Sequence, residues 1–301
     1  MMTTNVRTLN FHKGLPSMRF ETDHFVVNAA SHIGHFHRDK GVNCQDNYGV
    51  AVFPDNSPEW IAGVVCDGCG GADIDTPNGV IECKSEVGSA LVSEFILRQL
   101  RLSINDGKPL QETVAYLFEA TKRYIMNSIY FMSTAEIAYH VQRYWLCTIR
   151  GFVMSPTEGY LFSAGDGWTE VVYLDEAHGY PVTFADHRHD EAPHYLSYGC
   201  IPNPGSWNIP KKLVLDAFHT HPFEPAKVNK LFVATDGFET HCDRKLITYE
   251  SAQNCKLPRT LLNEQWGKKG KTGLKRWLNT YFDKGYFDDD VAIITVERKH
   301  E

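Results

Sequence analysis

Five aspartates stand at the ends of short apolar runs, and no other feature of this chain constrains its fold as much. They are Asp46 in Cys44-Gln45-Asp46, Asp67 in VVCDGCGG, Asp166 in FSAGDG, Asp236 in LFVATDG and Asp289 in FDDDVAII. A strand that ends in a carboxylate carries it to the edge of its sheet. Several such strands side by side gather oxygen ligands there, a set that suits hard cations such as Mg2+ or Mn2+. A pair of such ions activates water against a phosphate ester. Taken singly, each aspartate fits a solvated turn, and the glycines after Asp67 and Asp236 serve such a turn equally well. The conjunction points to metal, because gathered and buried carboxylates are costly unless cations neutralise them.

Bulk properties narrow the class. The 301 residues are 43% apolar and 12% aromatic, enough for a sizeable core. A net charge of −7 argues against nucleic acid or an anionic membrane as the main partner. The opening MMTTNVRTLNFHKGLP lacks the charged-then-apolar pattern of a secretory leader. No apolar stretch approaches the roughly 20 residues of a membrane span. The expected location is the cytoplasm, with the eight scattered cysteines as reduced thiols. Cys66-x-x-Cys69 has no second CxxC to complete a zinc site, and Asp67 within it favours the strand-end turn.

No repeat, low-complexity block or linker divides the chain, so it reads as one domain over 1–301 with a core at about 24–297. Apolar runs at 48–53 and 60–66, separated by PDNSPE, predict a hairpin. Val87, Leu91 and Phe95, flanked by Ala90 and Leu97, predict a helix over about 80–101. After the NDGKP turn, Leu110, Val114, Leu117, Thr121 and Ile125 predict a second helix, antiparallel to the first. Strands are expected at 144–153, 160–163, 168–173, 231–234 and 291–296, with helical material around 258–282. A Pro- and His-rich stretch at about 181–225 reads as an irregular surface flap. Strands that enclose consecutive helices predict an α+β fold of layered sheets flanked by helices, not an alternating parallel sheet.

The ordered motifs QD at 45–46, DGCGG at 67–71, GDG at 165–167, ATDG at 234–237 and DDV at 289–291 resemble those of the type-2C metal-dependent protein phosphatases. Gly34, His37, Cys44, Gln45 and Asp46 are similar to a bacterial subgroup with Gly-x-x-His followed by Cys-Gln-Asp. The likeness runs from about residue 30 to 296. It implies a four-layer α-β-β-α sandwich, two antiparallel sheets flanked by helix pairs. It also implies two divalent metals, Mn2+ or Mg2+: Asp67 bridging them, the Gly68 carbonyl on one, Asp236 and Asp289 on the other. Asp46 would orient a metal-bound water or bind directly, with Gln45 beside it. Asp166 resembles the ligand of a third, weaker metal. A hydroxide shared by the two ions would attack phosphoserine or phosphothreonine in line. The implied partner is a phosphoprotein, the product of an opposing protein kinase.

The chain departs from the family pattern in three places. Gln45 replaces a common glutamate and removes one negative charge. Cys69 stands where eukaryotic members often have a histidine proposed as proton donor. Gly41 occupies the expected place of a phosphate-binding arginine, for which Arg38, Lys40 or His37 would substitute. These departures keep two rivals open: a phosphatase-like binding module without turnover, and a hydrolase of small phosphoesters. His32, His35 and His37 fit a solvated histidine edge as well as a phosphate contact by His37, with His35 and His37 on one face if extended. His187, His189, His219 and His221 read as exposed loop residues, and GKKGKTGLKR as a solvated helix face.

Overall fold

The computed structural model of the protein describes residues 14–54, 59–70, 74–76, 79–132, 137–174, 180–181, 193–238, 261 and 264–299. The chain opens with β1 (Met18–Glu21), β2 (Phe25–His32) and a short helix α1 (His35–Lys40). The hairpin β3 (Asn47–Phe53) and β4 (Trp60–Cys66) follows, then a small ribbon, β5 (Ile74–Thr76) with β6 (Gly79–Ile81). Helices α2 (Ser85–Asn105), α3 (Leu110–Met132) and α4 (Ile137–His140) lead into β7 (Ile149–Met154), β8 (Gly159–Ala164), β9 (Trp168–Tyr173) and β10 (Tyr180–Pro181). The last elements are β11 (His219–Phe223), β12 (Val228–Ala234), α5 (Gly273–Asp283) and β13 (Val291–Arg298).

These strands build two antiparallel sheets, β1-β2-β13-β12-β9-β10 and β11-β8-β7-β4-β3. Strand alternation accounts for the layering. Ile61 and Val65 of β4, Leu231 and Val233 of β12, and Ala292, Ile294 and Val296 of β13 meet between the sheets. The intervening residues face outward into helices. Ala62, Val64 and Cys66 pack with α2 and α3, while Phe232, Ala234, Val291 and Ile293 pack with Leu274, Trp277 and Leu278 of α5. Central strands buried on both faces read as unbroken apolar runs, as WIAGVVC does.

Two helical expectations need correction. The first long helix begins at Ser85, because residues 79–81 pair in the ribbon and the Lys84 N–H is tied to Arg143 O at 2.6 Å. Its buried face is Ser85, Gly88, Ser89, Val92, Ser93, Ile96 and Leu100, one step from the predicted stripe, and Leu91 is exposed. Small residues win that face because the helix lies close: a methyl at Gly88 would meet Tyr144 O at 1.8 Å. On α3 the predicted stripe of Leu110, Val114, Leu117, Thr121 and Ile125 is buried throughout.

Three other segments also differ. The expected strand at 144–153 starts only at Ile149, since Val141–Trp145 forms a π-type turn and Leu146 accepts the Cys69 N–H. His35 and His37 lie on α1, which ends at Gly41 with φ +68°, so they do not share a strand face. In the stretch expected to be an irregular flap, residues 193–225 carry short 3-10 turns and β11, which extends the second sheet. Tyr195, Leu196, Ile201, Leu213 and Phe218 from that stretch are buried against the α2–α3 layer. His187, His189 and most of 239–263 lie outside the described residues.

Between the sheets the fully buried ring of Phe152 covers Gly63, whose missing methyl would lie 2.4 Å from it. Phe152→Ala is expected to destabilise the fold by about 3–5 kcal/mol. The loss should appear in urea as a lower midpoint at unchanged slope.

Candidate metal centre

The inward-facing alternation, carried one step past the strand ends, lands on functional side chains. It reaches Asp46 before Tyr48, Asp67 after Val65, Thr235 after Val233 and Asp290 before Ala292. Strand pairing brings these ends to one edge. Asn47 opposes Cys66, Ala164 opposes Ile149, Ala234 opposes Ile293, and Val291 opposes His32. The predicted aspartates therefore converge where the two sheets open.

One oxygen each from Asp67, Asp166 and Asp236 lie within 4.8 Å of one another. Asp46, 2% exposed, hydrogen bonds with Thr235 and Asp67 side chains. Burial pushes the Asp46 carboxyl well above the usual carboxylate range, and the charge of Asp290 adds to the effect. Asp67 is pushed up likewise, first by burial, then by Asp46, Asp236, Asp289 and Asp166. Backbone contacts hold the Asp67 loop: Thr148 N–H donates to Asp67 O at 2.8 Å, and Gly68 bridges to Cys147. Gly237 allows the Asp236 turn to lie on the neighbouring strand, since a methyl there would sit 1.8 Å from Asp290 O.

Asp290, the second member of the Asp289-Asp290 pair, was not singled out by sequence reasoning, yet it organises the approach to the cluster. Its Oδ1 accepts the Gly34 N–H at 2.7 Å and its Oδ2 the Gln45 N–H at 2.5 Å. His37 Nδ1 lies 2.8 Å from the same Oδ2. Burial works against protonated His37, but the hydrogen bond and charge of Asp290, with the charge of Asp289, raise its pKa overall. One ligand atom each from His37, Asp289 and Asp290 lie within 4.8 Å of one another, a second group beside that of Asp67, Asp166 and Asp236. Asp289 has a half-exposed side chain and accepts the Asp290 N–H at 2.8 Å, and its charge acts on Asp46 and Asp67.

Gln45 and His37 reach over the glycines beside Asp67, where a methyl at Gly70 would stand 3.2 Å from both Gln45 Oε1 and His37 Nε2. Arg38 turns away. Its guanidinium lies 4.7 Å over the Phe282 ring, contacts His35 at 3.0 Å and pairs with Asp39 at 3.2 Å. Buried acceptors Gln45 Oε1 and Asp46 Oδ2 have no hydrogen-bond partner among the described residues. Orphaned oxygens beside carboxyls held above their usual range are a donor set that fits hard divalent cations. Thr235, buried and linked to both Asp46 and the Ala292 N–H, was also missed, although it stands in the ATDG motif.

The fold has known counterparts. Serine/threonine phosphatase Stp1 from Staphylococcus aureus is similar at a TM-score of 0.53 and 14% identity, over 94% of this chain and 97% of that one. The Mycobacterium tuberculosis serine/threonine phosphatase PstP/Ppp is similar at a TM-score of 0.52 and 13% identity, over 92% of this chain and 100% of that one. No curated protein matches the chain by sequence. The sequence profile of protein phosphatase 2C matches residues 33–283. The chain belongs to the protein phosphatase 2C family and is an enzyme of that metal-dependent phosphatase class.

Carboxyls with raised pKa bind more protons in the folded than in the unfolded chain, so the metal-free protein loses stability as pH rises above about 4. A divalent cation takes the place of those protons. The gain in melting temperature on adding Mn2+ is expected to grow from about pH 5 to about pH 8. A gain that shrinks over that window, measured by scanning calorimetry, would contradict an ionised carboxylate cluster.

Proposed function

We propose that the chain hydrolyses phosphoserine and phosphothreonine esters of proteins, the products of a protein kinase. Asp67, Asp236, Asp289 and the Gly68 carbonyl would hold two divalent ions, Mn2+ or Mg2+, with Asp46 and Gln45 beside them and Asp166 serving a third. The observation that carries this reading is the central place of Asp67, which interacts with Asp46, Asp166, Asp236 and Asp289 alike. Ions bound there would supply charge neutralisation for phosphoryl oxygens and would make water acidic enough to attack near neutral pH.

The side chains then have separate tasks. Asp46, fixed by Thr235, presents its unpartnered Oδ2 to a proton of the attacking water. His37 Nδ1 lies 2.8 Å from Asp290 Oδ2, and a protonated His37 would offer the N–H at Nε2 to a phosphoryl oxygen. With Arg38 committed to Phe282 and Asp39, His37 is the stronger of the two phosphate contacts. Attack in line needs no nucleophile from the protein. Among the described residues, no helix is long and apolar enough to cross a membrane.

The test is phosphate release from a phosphothreonine peptide with Mn2+, with Mg2+ and with chelator. Outer-shell partners of a metal are worth about 10–100-fold, so Asp67→Asn is expected to lower kcat by more than about 100-fold. Faster release from nucleotides or small phosphoesters would shift the reading to a small-molecule phosphoesterase. Folded protein that binds metal and releases no phosphate would instead make the chain a binding module, the rival reading that Gln45 and the averted Arg38 motivate.

A further inference from the structure

Among the described residues, Arg150 is the one buried arginine, 2% exposed. It shares the inward face of β7 with Phe152 and Met154, and it pairs with Val65 of β4 and Ser163 of β8. That position is the floor of the metal centre, two residues along β4 from Asp67. A guanidinium in such a place is strongly unfavourable unless its donors are used. Its Nη2 donates to Gly165 O at 3.2 Å, and Ser163 Oγ donates to the same oxygen at 3.0 Å.

The carbonyl so gripped belongs to the turn that carries Asp166. Gly165 and Gly167 have φ of +92° and +118°, so backbone conformation alone favours glycine on both sides of the aspartate. A methyl at Gly167 would come within 2.7 Å of Ala234 O and 3.2 Å of Arg150 Nε. Arg150 thus closes the turn from below while the end of β12 closes it from the side. Asp166 between them meets Asp67 and Asp236 within 4.8 Å.

We propose that Arg150 is a positioning residue: by holding Gly165 O it fixes the turn and sets the reach of Asp166 toward Asp67 and Asp236. The assignment rests on the metal reading above. The Arg150 Nη2 adds a charged donor at 3.2 Å to the neutral Ser163 hydroxyl at 3.0 Å, so Gly165 O is held by two side chains from adjacent strands.

The experiment is calorimetric titration of the full chain with Mn2+, for wild type, Arg150→Met, Asp166→Asn and the double variant, with near-UV circular dichroism as the check on folding. Arg150→Met is expected to weaken the Asp166-dependent binding by about tenfold, as for other groups that orient a ligand. In the Asp166→Asn background it should add no further loss. Losses that add, or a folded Arg150→Met with the wild-type isotherm, would overturn the role of Arg150. If Arg150→Met does not fold, Ser163→Ala carries the same cycle, with an expected loss of about threefold that disappears beside Asp166→Asn. An additive Ser163→Ala loss, or none, would also overturn it. Wild-type protein that binds no Mn2+ would overturn the metal reading itself, a distinguishable failure.

Discussion

Mutual repulsion among carboxylates at the open end of the sandwich is the constraint that the rest of the molecule accommodates. Two unit charges 4.8 Å apart, the outer limit for Asp67, Asp166 and Asp236, repel by about 3.5 kcal/mol at an effective dielectric constant of about 20. Three such pairs approach 10 kcal/mol, comparable with the whole stability of an ordinary domain. Burial of Asp46 beside them adds to the load. The cluster therefore exists with bound protons or with cations, and its geometry has to be imposed by the scaffold. This is why the carboxylates sit on the ends of buried strands instead of on free loops.

The scaffold does this with backbone donors and close backbone contact. Asp290 joins the start of β13 to Gly34 and Gln45, so one side chain sets the approach of α1 and the entry to β3. Gly237 lets the Asp236 turn lie against the Asp290 backbone, and Thr235 links Asp46 to Ala292. Each anchor lies within one or two residues of a predicted metal ligand. Rigidity at these points converts the favourable energy of the inter-sheet core into fixed positions for groups that would otherwise separate.

Much of this was legible in the sequence because strands write their burial plainly. The runs before Asp67 and Asp236 and after Asp46 and Asp289 appear as strands, and their pairing follows from antiparallel layering. Legibility fails where packing prefers small or polar residues. The buried face of α2 holds four residues of serine or glycine at 85, 88, 89 and 93, which a search for apolar periodicity passes over. The short helix α1 hides among histidines that suit a strand edge equally well. Asp290, Thr235 and Arg150 share the inward alternation, but that becomes a signal only once register is known. A lone arginine in IRGFVM otherwise reads as an exposed position in a strand.

The departures from the family pattern gain a common sense from this charge balance. Gln45 reaches the loop of Asp67 with a neutral amide oxygen, which adds an acceptor there without adding repulsion. His37, with its pKa raised by Asp290, stands at the rim, and the Arg150 cation lies at the floor against Gly165. A centre built this way would hold ions by placement of ligands more than by excess negative charge, and that makes the turn between Gly165 and Gly167 as consequential as the carboxylates themselves.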